Sequence, residues 1–160
     1  MKNIAYFIIL VLVTGCGYTV RKTSGLPFRD INISSIINKT SEPNIEDVLY
    51  EKLGTEFLKQ GIQVKASSKY ILNGEINEFL LKVVSEKNEF SREYEVVIRA
   101  DFSISGPDNF RKRYNAMQSP FIESFIAERS INSIISLKET ATEQALESLA
   151  DRLVTEVIYR

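Results

Sequence analysis

Cys16 is the residue whose surroundings most clearly predict a chemical reaction, and it is the only cysteine of the 160-residue chain. It follows the small residues Thr14 and Gly15, which end an uncharged apolar run that begins at Ile4 behind the single basic residue Lys2. A basic start, an apolar run and small residues before a cut site are typical of a secretory signal peptide. The run is too short to cross a bilayer core of about 30 Å as a helix.

Val13-Thr14-Gly15-Cys16 also matches a bacterial lipobox, which predicts cleavage before Cys16 and acylation of its thiol. The alternative is an ordinary signal peptide, which would leave an unpaired reactive thiol in an exported protein. Gly17 follows the cysteine, in place of the aspartate that retains many lipoproteins in the inner membrane. We therefore expect a signal peptide at residues 1–15, a lipidated tether at 16–30 and a single domain at 31–160, held on the periplasmic side of the outer membrane.

Several kinds of catalytic site are excluded by composition, because the chain has no histidine. Ser-His-Asp and Cys-His catalysis cannot be built, nor can a zinc site made of imidazole or thiolate ligands. The seven glycines are scattered, and no GxGxxG or GxxxxGK phosphate loop occurs. Carboxylate-only catalysis stays formally open. However, the acidic pairs fall where helix ends or solvated faces would place them: Glu46/Asp47, Glu93/Glu95 and Glu143/Glu147. We expect no enzyme activity, no cofactor and no metal.

The charge balance argues against nucleic acid as a partner. The chain has 20 basic and 21 acidic residues, a net charge of −1, whereas nucleic-acid binders carry a basic surplus. Beyond the N-terminal run, no apolar stretch approaches the length of a membrane span. We therefore expect a water-soluble domain that the lipid anchor alone ties to the membrane.

The first half of the domain is predicted to contain a strand and a helix. Ile31 to Ile37 is a β-branched run typical of a buried strand. The helix is predicted to have Pro43 in its first turn and Gly61 as its stop, and Gly54 in its interior is expected to permit close approach to a sheet. Its apolar stripe recurs at i, i+3, i+4, i+8 and i+12: Ile45, Val48, Leu49, Leu53 and Phe57.

Three further strands are predicted in the second half. Residues 70–81 read as the second strand, with Gly74 marking a bulge or a close neighbour, and the polar stretch 85–92 reads as a connection. Period-two alternation over 94–104 predicts an antiparallel strand with one buried face. Gly106-Pro107-Asp108-Asn109 is a turn signal, so residues 110–118 should return as the fourth strand of a hairpin.

The chain is predicted to end in a long amphipathic helix. Ser136 and Glu139 form a capping-box pattern, although the helix could begin a turn earlier, near Asn132. Leu149 and Leu153 belong to its apolar stripe and should be buried. The fold class predicted is α+β, a two-layer sandwich with two amphipathic helices on one face of a four-stranded, mostly antiparallel sheet.

These elements, read with their particular residues, resemble the LPS-assembly lipoprotein LptE family. The resemblance covers nearly all of the chain after residue 15, although Ser68-Lys69 stands where many relatives have Ala-Asp, and some relatives carry a C-terminal tail that is missing here. The pieces that carry it, in order, are Cys16-Gly17-Tyr18, Leu26-Pro27, Asn38-Lys39-Thr40 with Pro43, Glu56-Phe57 with Gly61, Tyr70 to Ile76, and Glu93 to Ile98.

The resemblance implies a role without catalysis. LptE-like proteins plug the lumen of the large outer-membrane barrel LptD and assist the insertion of lipopolysaccharide into the outer leaflet. The partners implied are therefore LptD, lipopolysaccharide, and the membrane through the anchor. A plug needs a rigid body with a polar surface and no deep pocket.

Lipid A phosphates would be bound by lysine or arginine. Aligning the family's Glu-Tyr strand with Glu93-Tyr94 places a basic contact position of the family near Lys87, in the polar connection, with Arg92 close by. Arg111, Lys112 and Arg113 lie on the facing strand of the hairpin and are further candidates. For each of them, a solvated surface charge is the alternative, since about a quarter of a protein surface is charged.

Two other functions stay open from the sequence. An envelope scaffold or activator lipoprotein that binds another periplasmic or outer-membrane protein could use a similar small α/β domain. An enzyme acting on cell-wall glycans would need two carboxylates roughly 5–10 Å apart in a cleft.

Overall fold

A computed structural model describes residues 26–88, 91–119, 123–128 and 131–159, with side chains described for 26–82, 94–119 and 134–159. Six strands and two helices lie within these ranges. In chain order they are β1 (Asp30–Asn38), α1 (Ile45–Lys59), β2 (Gln63–Val64), β3 (Ile71–Asn88), β4 (Ser91–Ser105), β5 (Arg111–Gln118), β6 (Glu123–Glu128) and α2 (Ile131–Tyr159). The predicted signal peptide and most of the predicted tether, including Cys16, lie outside the described residues.

The strands form an open mixed sheet. Five of them follow the order β2-β1-β3-β4-β5, and β6 pairs with β4 beyond the end of β5. β1 is parallel to β2 and β3, because α1 returns the chain before the next strand begins. The pairs that β4 forms with β3, β5 and β6 are antiparallel. The predicted α+β class with two helices is confirmed, whereas the prediction of four mostly antiparallel strands is wrong.

β3 and β4 form a hairpin much longer than predicted. The expected polar connection at 85–92 does not exist as such: β3 continues to Asn88, and Glu86 pairs with Arg92. The strand ladder is made of backbone hydrogen bonds, which form whether or not the side chains are apolar. Because this stretch is polar, the sequence did not predict the last residues of β3 or the first residues of β4.

Two short strands also differ from expectation. The sequence did not predict β2 or β6, since segments of two and six residues carry little periodicity. α2 begins at Ile131, which agrees with the earlier of the two predicted starts.

The hydrophobic core lies between the two helices and one face of the sheet. The predicted stripe of α1 is buried at Leu49, Leu53 and Phe57, and Leu149 and Leu153 of α2 are both 0% exposed, as predicted. The sheet supplies the facing layer of the same cluster: Ile31, Ile33, Leu72, Ile76, Ile98, Ala100, Phe102 and Ile104. Full burial of one such aliphatic side chain stabilises the fold by about 1.5–3 kcal/mol.

The ends of α1 are fixed by local contacts. The Asn38 side-chain amide donates to the Glu42 carbonyl at 2.7 Å and to the Glu46 carboxylate at 2.9 Å, which holds the turn before the helix. Pro43 lies before the first helical residue and not in the first turn as predicted. Gly61 follows the helix with φ +78°, which confirms it as the stop. Gly54, in contrast, has nothing within 4 Å of its Cβ position, so the predicted close approach there is wrong.

Ion pairs join the two helices on the solvent side. Lys52 of α1 lies 2.6 Å from the Glu143 carboxylate and 3.6 Å from that of Glu147, both on α2. The hydrogen bond to Glu143 raises the pKa of Lys52 above its ordinary value, although burial opposes the rise. Exposed ion pairs of this kind contribute little to stability, typically about 0–1 kcal/mol.

Candidate functional site

The face of the sheet that the helices leave open carries many polar side chains. Along β4, the buried residues Ile98, Ala100 and Phe102 alternate with Arg99 and Asp101, which are exposed or half-buried. This is the division of faces that the alternating sequence predicts. The open face thus presents charged and amide side chains together with the exposed Ile37.

A shallow concavity runs across this open face. It crosses four neighbouring strands. Two carboxylates, those of Glu75 and Asp101, and the guanidinium of Arg113 contribute to its lining. Its lining includes Ser35 and Ile37 of β1, Asn73 and Glu75 of β3, Asp101 and Ser103 of β4, and Arg113 and Asn115 of β5. The sequence did not indicate this group, because its members are dispersed over 80 residues and meet only through the strand order.

Asp101 holds an irregularity in each strand beside it. Its Oδ2 accepts a hydrogen bond from the Asn77 amide at 2.8 Å, and its Oδ1 accepts one from the backbone N–H of Ala116 at 2.5 Å. Both donors lie at register shifts, and Ala116 has φ +50°. One carboxylate therefore stabilises two β-bulges, the devices by which strands redirect side chains. Both carboxylate oxygens of Asp101 are thus used to stabilise the sheet.

Other acidic groups of this face are paired with bases. Glu75 forms an ion pair with Lys39, and Glu78 lies 2.8 Å from Arg99. Within the described part of the chain, no acidic side chain pairs with Arg111 or Arg113. The basic surplus of the open face is thus concentrated on β5.

The predicted basic residues fall into two separate groups. Lys87 lies in β3 and Arg92 in β4, at the far end of the long hairpin, so the placement of Lys87 in a connection is wrong. Their side chains lie outside the described set. Arg111, Lys112 and Arg113 form the start of β5 and pair with Ser105, Ile104 and Ser103, which confirms the predicted hairpin. Since Arg92 and Ser105 occupy opposite ends of β4, the two groups are separated by roughly 40 Å at 3.3 Å per residue.

The residues of the β5 group do not all face the same way. Arg111 and Arg113 are exposed, while Lys112 is half-buried and pairs with the core residue Ile104. Because side chains alternate along a strand, Arg111 and Arg113 share the open face and Lys112 lies on the other. Two of these three candidates can therefore contact the same ligand.

Two further observations describe the chemistry of the visible part of the molecule. In the described ranges, no cluster of three or more acidic, histidine or cysteine side chains is arranged to hold a metal ion. Neither α1 nor α2, the helices described, is both long and apolar enough to cross a membrane.

Comparison with known proteins gives a family and a fold. The LptE family model, described as lipopolysaccharide-assembly, matches residues 28–160. A minor lipoprotein from Acinetobacter baumannii has a similar structure, with 9% identity, a TM-score of 0.52, and coverage of 82% of this chain and 92% of that one. Rare lipoprotein B from Shewanella oneidensis has 12% identity, a TM-score of 0.52, and coverage of 79% and 92%. At such identities the likeness is one of fold. A search of curated protein sequences finds no match.

Proposed function

The chain belongs to the LptE family of lipopolysaccharide-assembly proteins, and on that premise we propose that it plugs the LptD barrel and assists the assembly of lipopolysaccharide into the outer leaflet. The observation that carries the proposal is the extent of the family match. It begins at residue 28 and ends at residue 160, so it includes both helices and all strands of the described domain.

The architecture suits a plug. Both helices and the sheet share one core, so they form a single packed unit. The open face offers mostly paired charges and amides, the surface that a water-filled barrel lumen requires. An interface of this kind spreads its contacts over many side chains, and only a minority of them matter individually. No catalytic step forms part of the proposal.

Contact with lipopolysaccharide is proposed at the basic residues. Lipid A phosphates accept charge-assisted hydrogen bonds, which arginine forms as a planar fork and lysine as a point charge. Lys87 and Arg92 would form one contact region at the end of the β3/β4 hairpin. Arg111 and Arg113 would form a second on the open face, where their exposure and lack of acidic partners among the described residues leave them available.

The proposal includes the position in the envelope. Cleavage before Cys16 and acylation of its thiol would anchor the protein, and Gly17 favours the outer membrane over the inner one. The domain would then lie on the periplasmic side of the outer membrane.

Affinity purification from detergent-solubilised outer membranes tests the proposal. A large β-barrel should co-purify with the tagged chain in near-equal amounts, and depletion of the chain should lower the amount of lipopolysaccharide at the cell surface. Recovery of a cell-wall synthase or a secretion component in place of the barrel, with surface lipopolysaccharide unchanged, would overturn it in favour of an envelope scaffold.

A further inference from the structure

Three aromatic rings form a cluster at the end of the sheet where the described chain begins. Phe28 and Tyr70 have ring centroids 4.7 Å apart, Tyr70 and Phe110 are 5.5 Å apart, and Phe28 and Phe110 are 6.4 Å apart. The Tyr70 ring lies 2.5 Å from the position that a Cβ on Gly106 would occupy. The three rings and Gly106 are therefore closely packed at this end of the sheet.

Each ring of the cluster has a basic neighbour in the sequence. Arg29 follows Phe28, Lys69 precedes Tyr70, and Arg111 follows Phe110, and all three basic residues are exposed. The three exposed positive charges therefore lie beside the ring cluster, at the same end of the sheet.

Backbone hydrogen bonds place these residues in a staggered row at the same end of neighbouring strands, with Lys65 beside Ile31 and Arg29 two residues before Ile31. The Gln63 N–H donates to the Arg29 carbonyl at 3.0 Å, and the Asn32 N–H donates to the Tyr70 carbonyl at 2.8 Å. The Gly106 N–H donates to the Phe110 carbonyl at 2.9 Å, and the backbone N–H of Lys65 donates to the Ile31 carbonyl at 2.9 Å. From β2 to β5 the row spans about 19 Å, at 4.7–4.9 Å per strand.

The row has a local positive balance in a chain of net charge −1. Its four exposed basic residues, Arg29, Lys65, Lys69 and Arg111, are here called the tether-end basic surface. The acidic side chains nearest in sequence are Asp30, which is half-buried, and Asp108, which is exposed. Among the described residues, none of the four bases forms an ion pair. Their charge is directed to solvent.

The chain that leads to this surface comes from the predicted anchor. Nine residues lie between Cys16 and Leu26, so the ten Cα-to-Cα steps let the domain stand at most about 35 Å from the acylated cysteine. The connection itself contains Arg21 and Lys22. The basic end of the domain is thus the end held closest to the membrane, where phospholipid phosphates are concentrated.

We propose that the tether-end basic surface docks the domain on the anionic phospholipid headgroups of the leaflet that holds the anchor. The inference rests on acylation of Cys16, which belongs to the function proposed above. Lysines and arginines close to an anionic membrane are attracted to it within a Debye length. The contact would set the orientation of the domain: β1 points its N-terminal end at the bilayer and the β3/β4 hairpin away from it.

Orientation can be measured with the full-length lipoprotein in vesicles. Ser67 lies between Lys65 and Lys69, Ser41 lies beyond the far end of β1, and both are exposed. Ser67→Cys and Ser41→Cys introduce matched thiols for a fluorescent donor, with the acceptor on lipid headgroups. The vesicles contain phosphatidylcholine alone, phosphatidylcholine with phosphatidylglycerol, or phosphatidylcholine with lipopolysaccharide.

Energy transfer from residue 67 should rise when phosphatidylglycerol is added, while transfer from residue 41 should not. The rise should disappear at high salt and in the Arg29→Glu, Lys69→Glu, Arg111→Glu variant. A control variant with the same change in net charge, Lys39→Glu, Lys82→Glu, Arg99→Glu, alters exposed residues elsewhere and should retain the rise.

Equal transfer in neutral and anionic vesicles, or a rise that survives the triple reversal, would overturn the proposal. A rise that occurs only with lipopolysaccharide would overturn it too, because the surface would then bind that lipid instead. If the protein fails to float with phosphatidylcholine vesicles, acylation is refuted, and flotation that depends on phosphatidylglycerol then tests the headgroup contact by itself. Co-purification of the barrel is a separate result, so either proposal can fail while the other stands.

Discussion

Gly74 and Phe102 are partners across β3 and β4, and two ring carbons of Phe102 lie 3.0 Å from the point where a Cβ on residue 74 would be. The Phe102 ring is 2% exposed, so the core around it leaves little room for it to move. Glycine at position 74 thus allows an aromatic ring to fill the space above the strand. The sequence indicated a bulge or a close neighbour, and the structure shows the close neighbour.

Gly74→Ala should lower the free energy of unfolding by about 1–3 kcal/mol, because the added methyl group overpacks the core against Phe102. Gly54→Ala is the matched control. It lies inside α1 with nothing near its Cβ position, so alanine should raise stability by about 0.5–1 kcal/mol through helix propensity. Urea denaturation of the two variants checks both. Equal effects of one sign would mean that Phe102 does not constrain residue 74.

Leu153→Ala should cost about 2–5 kcal/mol, through lost burial and the cavity left behind. Leu153 is 0% exposed and belongs to the core cluster of both helices and the sheet. A denaturant melt measures the change. A loss below about 0.5 kcal/mol, the range of surface substitutions, would contradict the burial of this side of α2.

Tyr114→Phe should be neutral or slightly stabilising at neutral pH. The Tyr114 hydroxyl oxygen is buried, and no hydrogen-bond partner for it exists among the described residues, so its removal relieves a desolvation cost. Burial raises the pKa of Tyr114 above its ordinary value of 10.0, and the charge of Glu156 raises it further.

This shift predicts how stability changes in alkali. The unfolded chain loses the phenol proton at a lower pH than the folded one, so the fold loses stability as pH rises above 10.0 toward the raised pKa. Thermal melts between neutral pH and pH 11 should show a steeper decline for the native chain than for Tyr114→Phe. Parallel declines would show that the hydroxyl titrates as it does in water.

The double variant Lys87→Glu, Arg92→Glu should weaken binding to purified lipopolysaccharide and leave association with the barrel nearly intact. The loss should be larger at low salt, since a Debye length of about 10 Å at 0.1 M screens exposed charges. Arg111→Glu, Arg113→Glu is the comparison, because this pair lies at the other end of β4. Distant sites act additively, so combining the two doubles should sum their effects on binding free energy. If both double variants bind lipopolysaccharide as the native chain does, these residues are solvated surface charges that do not contact it.

Cys16→Ser should block acylation, since serine offers no thiol for the lipid. The protein should then appear in the soluble fraction or persist as an uncleaved precursor of higher mass. Metabolic labelling with a fatty acid, read by gel and mass spectrometry, checks this. A serine variant that still incorporates the label would contradict the lipobox interpretation.

The elements found from sequence are those whose burial produces a period. The stripe of α1, the alternation of β4 and the leucines of α2 each combine regular spacing with one buried face, and the structure confirms them. The ends of β3 and β4 at Glu86 and Arg92 could not be found in this way, because their pairing depends on backbone hydrogen bonds and not on apolar side chains.

The candidate sites were harder to predict than the fold. Asp101, Glu75 and Arg113 meet on the open face only because β1, β3, β4 and β5 lie side by side, and sequence spacing does not contain that order. The sequence also does not show how far apart two residues lie in the fold. Arg92 and Arg111 were predicted to lie on neighbouring strands of one hairpin, but they lie at opposite ends of β4. Cys16 lies outside the described residues, and its acylation stays a prediction.

The position of β4 has a consequence for the folding of the chain as it emerges. β4 is bordered by β3 along its full length on one side and by β5 and β6 on the other, yet it follows β3 in the chain. A chain that has emerged only as far as Asn88 therefore leaves the β4-facing edge of the 18-residue β3 unpaired, and β1 covers the other edge only from Ile71 to Ile76. Such an edge is a template for aggregation. Because the sequence predicts export, a periplasmic chaperone that covers β3 until residue 105 has crossed the inner membrane would protect the chain at this stage.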